Sequence, residues 1–327
     1  MKKLIGAINK FNKANILVIG DLMVDEYLFG DVNRISPEAP VPVINVKKVD
    51  YRAGGAANLA SNITSLGGKC TLIGQVGNDN EKDMLLKLLA THNIIPNLIE
   101  REDYLTIKKT RAMANGQQLL RIDWEVCNPL PGKLINGIIK FSKQNNFDMI
   151  IVSDYNKGMI TQRLMKELKN NQMKVVVDPT PAHTNWFKKV FVVTPNLKEA
   201  KEMCGADNIK QIGKKLLRKL NSNVIVTRGP EGLSIFDKHT KKHTHIPTKA
   251  KKVYDVSGAG DTFVAGLVLA LVSGLSLEES AILANHAAGI VVGKLGTATV
   301  TAEELKKDIG GGHEQEKRRK RECFVAW

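Results

Sequence analysis

The sequence is poor in the features that mark secreted, metal-clustering and membrane-spanning proteins. Its 327 residues include four cysteines, with no CxxC pair and no zinc-site spacing. No apolar run reaches the roughly 20 residues that a membrane span needs, and the lysine-bearing N-terminus lacks the long apolar core of a signal peptide. We therefore expect a cytoplasmic protein with reduced thiols and no membrane contact.

Aromatic residues are also scarce, and this affects how the net charge is interpreted. They make up 5% of a chain whose formal net charge is +15. Without aromatic residues interleaved among the basic ones, the sequence offers little for stacking nucleic-acid bases. We interpret the charge as a lysine-rich surface, or as a preference for anionic small molecules. A basic run at 316–322 lies in a segment, 310–327, that we interpret as a flexible tail, with polyanion or partner binding as the alternative.

The commonest nucleotide-binding and hydrolase motifs are absent as well. GxGxxG does not follow the first apolar strand, and GxxxxGK[ST], GxSxG and HExxH do not occur. If the protein binds a nucleotide, it must do so with a different kind of loop.

What the sequence does contain is a regular alternation of apolar, β-rich runs and helix-period segments. The apolar runs lie at 15–21, 70–77, 148–155, 174–179, 190–196 and 223–229. Continuous Val, Ile and Leu runs separated by helices are typical of a parallel sheet that is covered on both faces. The pattern predicts an α/β fold over residues 1–309, with a mostly parallel sheet between helix layers.

Two segments, 40–53 and 106–123, break this rhythm by alternating polar and apolar residues. The second contains the hairpin-like turn "ANGQQ". We predict a small β-layer that projects from the main sheet and covers a ligand site as a lid, with a plain edge hairpin as the alternative. The exposed strand edges of such a layer also predict a homodimer in which the lids pair.

Polar residues follow several of the predicted strands. Because parallel strands present their carboxyl ends at one edge of the sheet, these residues predict the rim of a ligand pocket there. Each of them could instead cap the next helix. They are Asp21, Asp154, Asp178, Asn196 and the run 227–229.

The stretch "DVSGAGDTF", at 255–263, places Gly258, Ala259 and Gly260 directly before Asp261 and an apolar helical run. Glycines let backbone N–H groups turn toward a ligand, and a helix N-terminus adds unpaired donors and partial positive charge. Together they predict an anion hole for a phosphoryl group. Asp261 beside it could accept the proton of an attacking hydroxyl group, or it could merely cap the helix.

A second glycine motif, "AGGAANLASNITSLGG" at 53–68, changes the balance between these two interpretations. Gly54 and Gly55 permit close backbone approach to a polyol, and the Asn58 amide both donates and accepts hydrogen bonds. Asp21 and Asp25, in "GDLMVD", are suited to bidentate contacts with sugar hydroxyl groups. These residues predict a sugar site.

The segments 54–67 and 255–266 resemble, in sequence and in order, the two signature regions of the ribokinase-like (PfkB) carbohydrate kinases. The resemblance extends over about residues 10–308. It implies a ribokinase-like three-layer α/β sandwich with a β-sheet lid, ATP as phosphoryl donor, and Mg²⁺.

Four further segments, "NRISPEAPVPV", "QQLLRID", "SDYNKG" and "VVGKLGTATV", are similar to bacterial heptose-7-phosphate kinases. This similarity implies phosphorylation of the anomeric hydroxyl of D-glycero-D-manno-heptose 7-phosphate, on the route to ADP-heptose and the lipopolysaccharide core. Many such kinases are fused to an adenylyltransferase domain, but no HxGH-type motif occurs here, so we expect that activity in a separate protein. A kinase for another sugar and a non-catalytic sugar- or nucleotide-binding protein are the alternatives.

The resemblance also implies roles for individual positions. Asp261 matches the catalytic base, and the backbone of 258–260 matches the anion hole. The positions that match sugar contacts are Asp21, Gly54, Gly55 and Asn58. Those that match nucleotide and Mg²⁺ contacts are Asn196, Glu199, Thr227, Arg228, Gly229 and Asn285. Those that match a monovalent-cation site, for K⁺, are Asp255, Val291 and Gly296.

A substrate that already carries a phosphate needs its own cationic clamp. We predict that at least two of five basic residues contact it, Lys109 and Arg111 foremost. The sequence departs from the related kinases at Thr180, where they tend to have a lysine, which affects the substrate assignment more than the reaction. The five basic residues are Arg34, Lys109, Arg111, Arg121 and Lys157.

Overall fold

Residues 1–250, 253–294 and 298–311 are described by the structure, a computed structural model. They form a central nine-stranded sheet between two layers of helices, and a separate four-stranded sheet. The central sheet contains β1 Asn15–Gly20, β4 Lys69–Val76, β5 Ile95–Glu100, β8 Met149–Ser153, β9 Val175–Asp178, β10 Val192–Val193, β11 Asn223–Thr227, β12 Leu233–Phe236 and β13 His243–Ile246. The small sheet contains β2 Leu22–Ile35, β3 Pro42–Gly55, β6 Ile107–Ala114 and β7 Gln117–Trp124.

The central sheet has the strand order β13-β12-β11-β10-β9-β8-β1-β4-β5. The strands from β11 to β5 pair in parallel, and β12 and β13 add an antiparallel hairpin at one edge. The predicted mostly parallel sheet is thereby confirmed. The carboxyl ends of the parallel strands lie along one edge of this sheet. At that edge the chain passes from the end of β1, at Gly20, into β2, at Leu22.

Helices cover both faces of the central sheet. Within the described residues, no helix combines the length and the apolar composition that crossing a bilayer takes. The helices are α1 Lys2–Ile8, α2 Ala56–Ser65, α3 Asn80–Thr91, α4 Gly132–Gln144, α5 Gln162–Asn170, α6 Leu197–Cys204, α7 Ile209–Leu220, α8 Ala259–Val272, α9 Leu277–Val291 and α10, 302–311.

The apolar runs of the strands are continuous because each strand contributes to two cores. In β1, Ile16 and Val18 face the core formed with α1, α2, α3, α8, α9 and α10. Leu17 and Ile19 face the other core, formed with α4, α5, α6 and α7. Since alternate side chains of a strand point to opposite faces, a strand that is covered on both sides has no polar position in its middle.

The small sheet has the strand order β3-β2-β6-β7 and projects from the carboxyl end of β1. The predicted hairpin turn lies at Asn115 and Gly116, which have φ values of 52° and 77° and join β6 to β7. The sequence pattern does not predict that β2 belongs to this sheet. Its alternation is interrupted by the adjacent acids Asp25 and Glu26, and its register with β3 shifts after Phe29.

Two helix glycines give a matched test of this packing. A Cβ at Gly213, in α7, would overlap the ring of Phe236, whereas a Cβ at Gly137, in α4, would meet no atom within 4 Å. We expect Gly213→Ala to lower the free energy of unfolding by about 1–3 kcal/mol through overpacking. Gly137→Ala should raise it by roughly 0.5–1 kcal/mol through helix propensity. Urea denaturation measures both, and equal stability of the two variants would contradict the packing described.

Candidate active site

The candidate site lies at the carboxyl-end edge of the central sheet, where α8 begins. Gly258 caps this helix with φ 77°, a conformation that favours glycine. The Ala259 amide donates to the Val256 carbonyl at 3.2 Å, whereas Gly260 and Asp261 are first-turn residues whose amides have no acceptor earlier in the helix. The loop therefore presents free donors and the positive end of a helix to a cavity of about 190 Å³.

Asp261 lies in the first turn of α8 and is buried, with an exposed fraction of 6%. Its Oδ2 accepts a hydrogen bond from Asn58 Nδ2 at 2.6 Å, and its Oδ1 accepts one from the Tyr155 hydroxyl group at 3.1 Å. Burial raises the pKa of Asp261 to about 6, the Asp25 charge also raises it, and the two donors oppose the rise. The carboxylate is therefore mostly ionised at neutral pH and more basic than an exposed aspartate.

The junction between β3 and α2 orients the Asn58 side chain toward Asp261. Gly55 caps α2 with φ 58°, and a Cβ at Gly54 would lie 2.7 Å from Asp25 Oδ2. The two glycines thus allow the end of β3 to approach β2 closely. Side-chain atoms of Asp25 and Met23 fill the space beside Gly54. The contact of these two glycines with a sugar stays a prediction.

Asp21 anchors the loop that follows β8. Its Oδ2 accepts hydrogen bonds from the amides of Tyr155 and Lys157 at 2.8 and 3.1 Å, and its Oδ1 accepts one from Met159 at 3.0 Å. Burial raises the pKa of Asp21, and the three amides oppose that rise. The Asp21 carboxylate therefore fixes the backbone of the loop that carries Tyr155, and its predicted sugar contact stays a prediction.

Asp154, the acid at the end of β8, is paired with His183. Its Oδ2 lies 2.7 Å from His183 Nδ1, and its Oδ1 accepts the Asn156 amide at 2.9 Å. The His183 ring stacks on Trp186 with centroids 3.6 Å apart. His183 follows Thr180 by three residues, so the segment in which the related kinases tend to have a lysine supplies a histidine to this acid.

Asn196 and Glu199 form the capping box of α6. Asn196 Oδ1 accepts the Glu199 amide at 2.9 Å, and Glu199 Oε2 accepts the Asn196 amide at 2.8 Å. Burial raises the pKa of Glu199. Both residues line the cavity at Asp261, as does Asp178 at the end of β9.

The Asp178 carboxylate accepts no hydrogen bond from the described part of the chain. Its pKa is raised well above the usual value by burial and by the charges of Asp261, Glu199 and Asp154. An unpaired carboxylate among other acids fits a divalent cation. Since the described residues hold no group of three or more His, Cys, Asp or Glu side chains placed to bind a metal, Mg²⁺ would complete its shell with water and phosphate oxygens.

An apolar cavity of about 320 Å³ adjoins the loop on the other side of Gly260. Thr227, Gly229 and Asn285 line it, and Asn285 Nδ2 donates to the Pro247 carbonyl at 2.8 Å. The guanidinium group of Arg228 instead pairs with Glu231 and lies 3.3 Å from the Ser234 hydroxyl group. Of the 227–229 run, Thr227 and Gly229 thus face this apolar cavity, while the Arg228 side chain is directed to the edge hairpin.

The predicted monovalent-cation residues are only partly described. The Asp255 amide donates to the Val292 carbonyl at 3.3 Å, which places Asp255 beside the end of α9 at Val291. Gly296 lies outside the described residues.

Four of the five clamp candidates are ion-paired. Arg111 Nη1 lies 2.5 Å from Asp25 Oδ1, and Arg121 Nε lies 2.8 Å from Asp123 Oδ1. Lys109 contacts Asp123, in β7, and Glu125, which directly follows β7. Lys157 contacts Glu125 as well. Arg34 is exposed on the outer part of β2.

The roles of Tyr155 and of the acids that pair with the clamp candidates are not predicted by the sequence. Tyr155 directly follows a strand-end acid, which is a signal that a ligand-facing loop begins there, but its partner Asp261 is 106 residues away in the chain.

A glycine loop at a helix N-terminus, a buried carboxylate beside it and an adjoining apolar cavity are the parts that phosphoryl transfer to a hydroxyl group uses. Residues 13–304 match the family described as pfkB family carbohydrate kinase. The chain belongs to this family, and it is a phosphotransferase with an alcohol group as acceptor.

Several curated proteins align with most of the chain. The bifunctional protein HldE of Haemophilus ducreyi is 42% identical in a 313-residue alignment that covers 92% of this chain and 64% of that protein. The HldE protein of Histophilus somni is 40% identical in a 311-residue alignment that covers 92% of this chain and 65% of that protein. The chain thus spans a little under two thirds of the length of these relatives.

Solved structures share the fold at low sequence identity. Ribokinase from Thermotoga maritima has a TM-score of 0.73 at 24% identity, covering 91% of this chain and 99% of that one. Phosphofructokinase-2 from Escherichia coli, in complex with potassium, has a TM-score of 0.74 at 19% identity, with 90% and 97% covered. The ribokinase-like fold predicted from the two signature segments is confirmed.

Tyr155→Phe tests the local electrostatics of the site. The Tyr155 hydrogen bond favours the ionised form of Asp261, so its loss should raise the pKa of Asp261 above about 6. Carboxyl ¹³C NMR titration of aspartate-labelled protein measures this pKa, with the resonance assigned by its absence in Asp261→Asn. Tyr104→Phe is the control, because the Tyr104 hydroxyl group lies 3.4 Å from the Lys157 carbonyl instead. Identical Asp261 titrations in the two variants would contradict the assignment.

Proposed function

We propose that the chain is an ATP-dependent kinase of D-glycero-D-manno-heptose 7-phosphate that phosphorylates O1 and yields the 1,7-bisphosphate. The observation that carries the proposal is the Asp261 carboxylate, held by Asn58 and Tyr155 at the mouth of the glycine loop. The similarity to heptose-7-phosphate kinases supports the choice of sugar. In this proposal the protein acts in the cytoplasm on the route to ADP-heptose.

The geometry supports an in-line transfer with Asp261 as general base. As the O1 hydroxyl oxygen attacks the γ-phosphorus of ATP, Asp261 takes its proton, the bond from the γ-phosphorus to the bridging oxygen breaks, and ADP leaves. The free amides at the start of α8 stabilise the charge on the transferred group. The apolar cavity beside Asn285 accommodates the adenine.

Two ions belong to this proposal. Asp178, Asn196 and Glu199 would hold Mg²⁺ through water, and the ion would neutralise phosphate charge when bound. Asp255 and Val291 would take part in a K⁺ site beside the loop.

A second candidate substrate is another sugar phosphate, and Thr180 favours it. The related heptose kinases tend to have a lysine at this position, whereas here Asp154 is paired with His183. This alternative keeps the reaction and changes only the acceptor.

A coupled ADP-release assay over a panel of sugars and sugar phosphates tests the function. We expect turnover of heptose 7-phosphate, with kcat/KM falling as pH drops through about 6, because Asp261 must be ionised. Asp261→Asn should lower kcat by about 10²–10⁴ while ATP binding persists, and exposed Asp83→Asn serves as the control. Strong turnover of ribose or fructose, with none of heptose 7-phosphate, would refute the substrate. Near-normal kcat in Asp261→Asn would refute the base.

The outer face of the small sheet supports a homodimer as the working form. Val49, Leu120, Ile122 and Trp124 have exposed fractions between 42% and 57%. They lie on the face opposite the paired residues Lys109–Asp123 and Arg111–Arg121. The edge strand β7 also leaves backbone groups unpaired, which a second copy can satisfy.

Light scattering coupled to gel filtration tests this assembly. We expect wild-type protein at twice the 36.0 kDa chain mass. The variant Leu120→Glu/Ile122→Glu should be monomeric, because it places charges on the apolar face. Ile95→Glu, at the far edge of the central sheet, should remain dimeric. A monomeric wild type would refute the dimer.

A further inference from the structure

Glu125, directly after β7, bridges the small sheet and the central sheet domain. Its Oε1 accepts from Lys157 Nζ at 2.6 Å, and its Oε2 accepts from Lys109 Nζ at 3.1 Å. Lys157 lies in the loop after β8, and Lys109 lies on β6. One carboxylate therefore joins a lysine of the small sheet to a lysine in a loop of the central sheet.

The bridge belongs to a row of alternating charges: Lys157, Glu125, Lys109, Asp123 and Arg121. Lys109 Nζ also lies 2.9 Å from Asp123 Oδ2, and Arg121 Nε pairs with the same acid. The side chains of Lys109 and Lys157 are 14% and 19% exposed, so solvent screens their charges only in part. The two lysines lower the pKa of Glu125, which keeps it ionised.

The row lies beside the acceptor site. Lys109 is directly opposite Asp25 in the β2–β6 register. Asp25 is close enough to Asp261 for its charge to raise the pKa of Asp261. Lys157 follows Tyr155, the donor to Asp261, by two residues. A sugar whose hydroxyl group faces Asp261 would therefore direct its far end toward these two lysines.

We propose that Glu125 is an internal counter-anion for Lys109 and Lys157, which the phosphate of a sugar phosphate displaces when it binds. The proposal rests on the proposed function as a sugar-phosphate kinase. A carboxylate and a phosphate both offer two oxygens to a pair of ammonium groups, but the phosphate brings a third oxygen and more charge.

Displacement of Glu125 by a phosphate has one consequence for substrate selectivity and one for the free enzyme. An unphosphorylated sugar cannot replace Glu125, so the lysines stay paired and contribute nothing to its binding. Without substrate, Glu125 prevents repulsion between the two lysines. With substrate, the phosphate takes over the bridge between the two parts of the molecule.

Titration with inorganic phosphate, followed by calorimetry without nucleotide, tests the exchange directly. Glu125→Gln keeps the side-chain shape and removes the competing charge, so the Kd for phosphate should fall about threefold or more. Asp123→Asn is the matched control, because it removes one negative charge from the same row but leaves the bridge intact, and it should change Kd less. The gain should vanish in Glu125→Gln/Lys157→Met.

Glu125→Asp covers the case in which the glutamine variant does not fold. The shorter side chain keeps the charge but cannot reach both lysines, so a smaller gain in phosphate affinity is expected. Unchanged or weaker phosphate binding in the folded position-125 variants would overturn the proposal. So would an equal gain in Asp123→Asn, or a gain that persists in the double variant.

The kinetic arm separates this proposal from the function on which it rests. In Glu125→Gln, the KM for heptose 7-phosphate should fall while the KM for ATP stays unchanged. If wild-type protein phosphorylates no sugar phosphate, the proposed function fails, and the calorimetric result still decides whether Glu125 competes with phosphate.

Discussion

The site depends on one constraint, which is that a buried carboxylate must stay ionisable. Asp261 lies in the first turn of α8 with little solvent, and burial favours its protonated form. Asn58 from α2 and Tyr155 from the loop after β8 offset that cost by donating to its two oxygens. Much of the surrounding geometry serves to bring these two donors to one acid.

The donors are themselves fixed by buried polar contacts. Asn62 Nδ2 donates to the Asn58 carbonyl at 2.9 Å, and the Thr262 hydroxyl group donates to Asn62 Oδ1 at 2.7 Å, which ties α2 to α8. On the other side, the Asp21 carboxylate holds the loop of Tyr155 through three amides. That loop also carries Lys157, so one anchor positions both the donor to Asp261 and a cation of the charged row.

The sequence predicts the layered fold because continuous apolar strands have a single physical explanation, namely burial on both faces. It also identifies the glycine loop, Asp261 and Asn58, since each belongs to a local motif. It does not identify β2 as a lid strand, because two adjacent acids interrupt its alternation. Nor can it show that the Arg228 side chain is directed away from the cavity, since side-chain direction depends on the edge hairpin that packs there.

The charged row shows why composition alone is a poor guide to a binding site. A net charge of +15 suggests cations that are free to bind an anion, yet four of the five clamp candidates are paired with acids of the same chain. A pair of lysines held close together in a partly sheltered site requires a counter-charge even before the substrate arrives. Local neutrality in the free protein is therefore compatible with anion recognition, because an anion of higher charge can replace the carboxylate that holds its place.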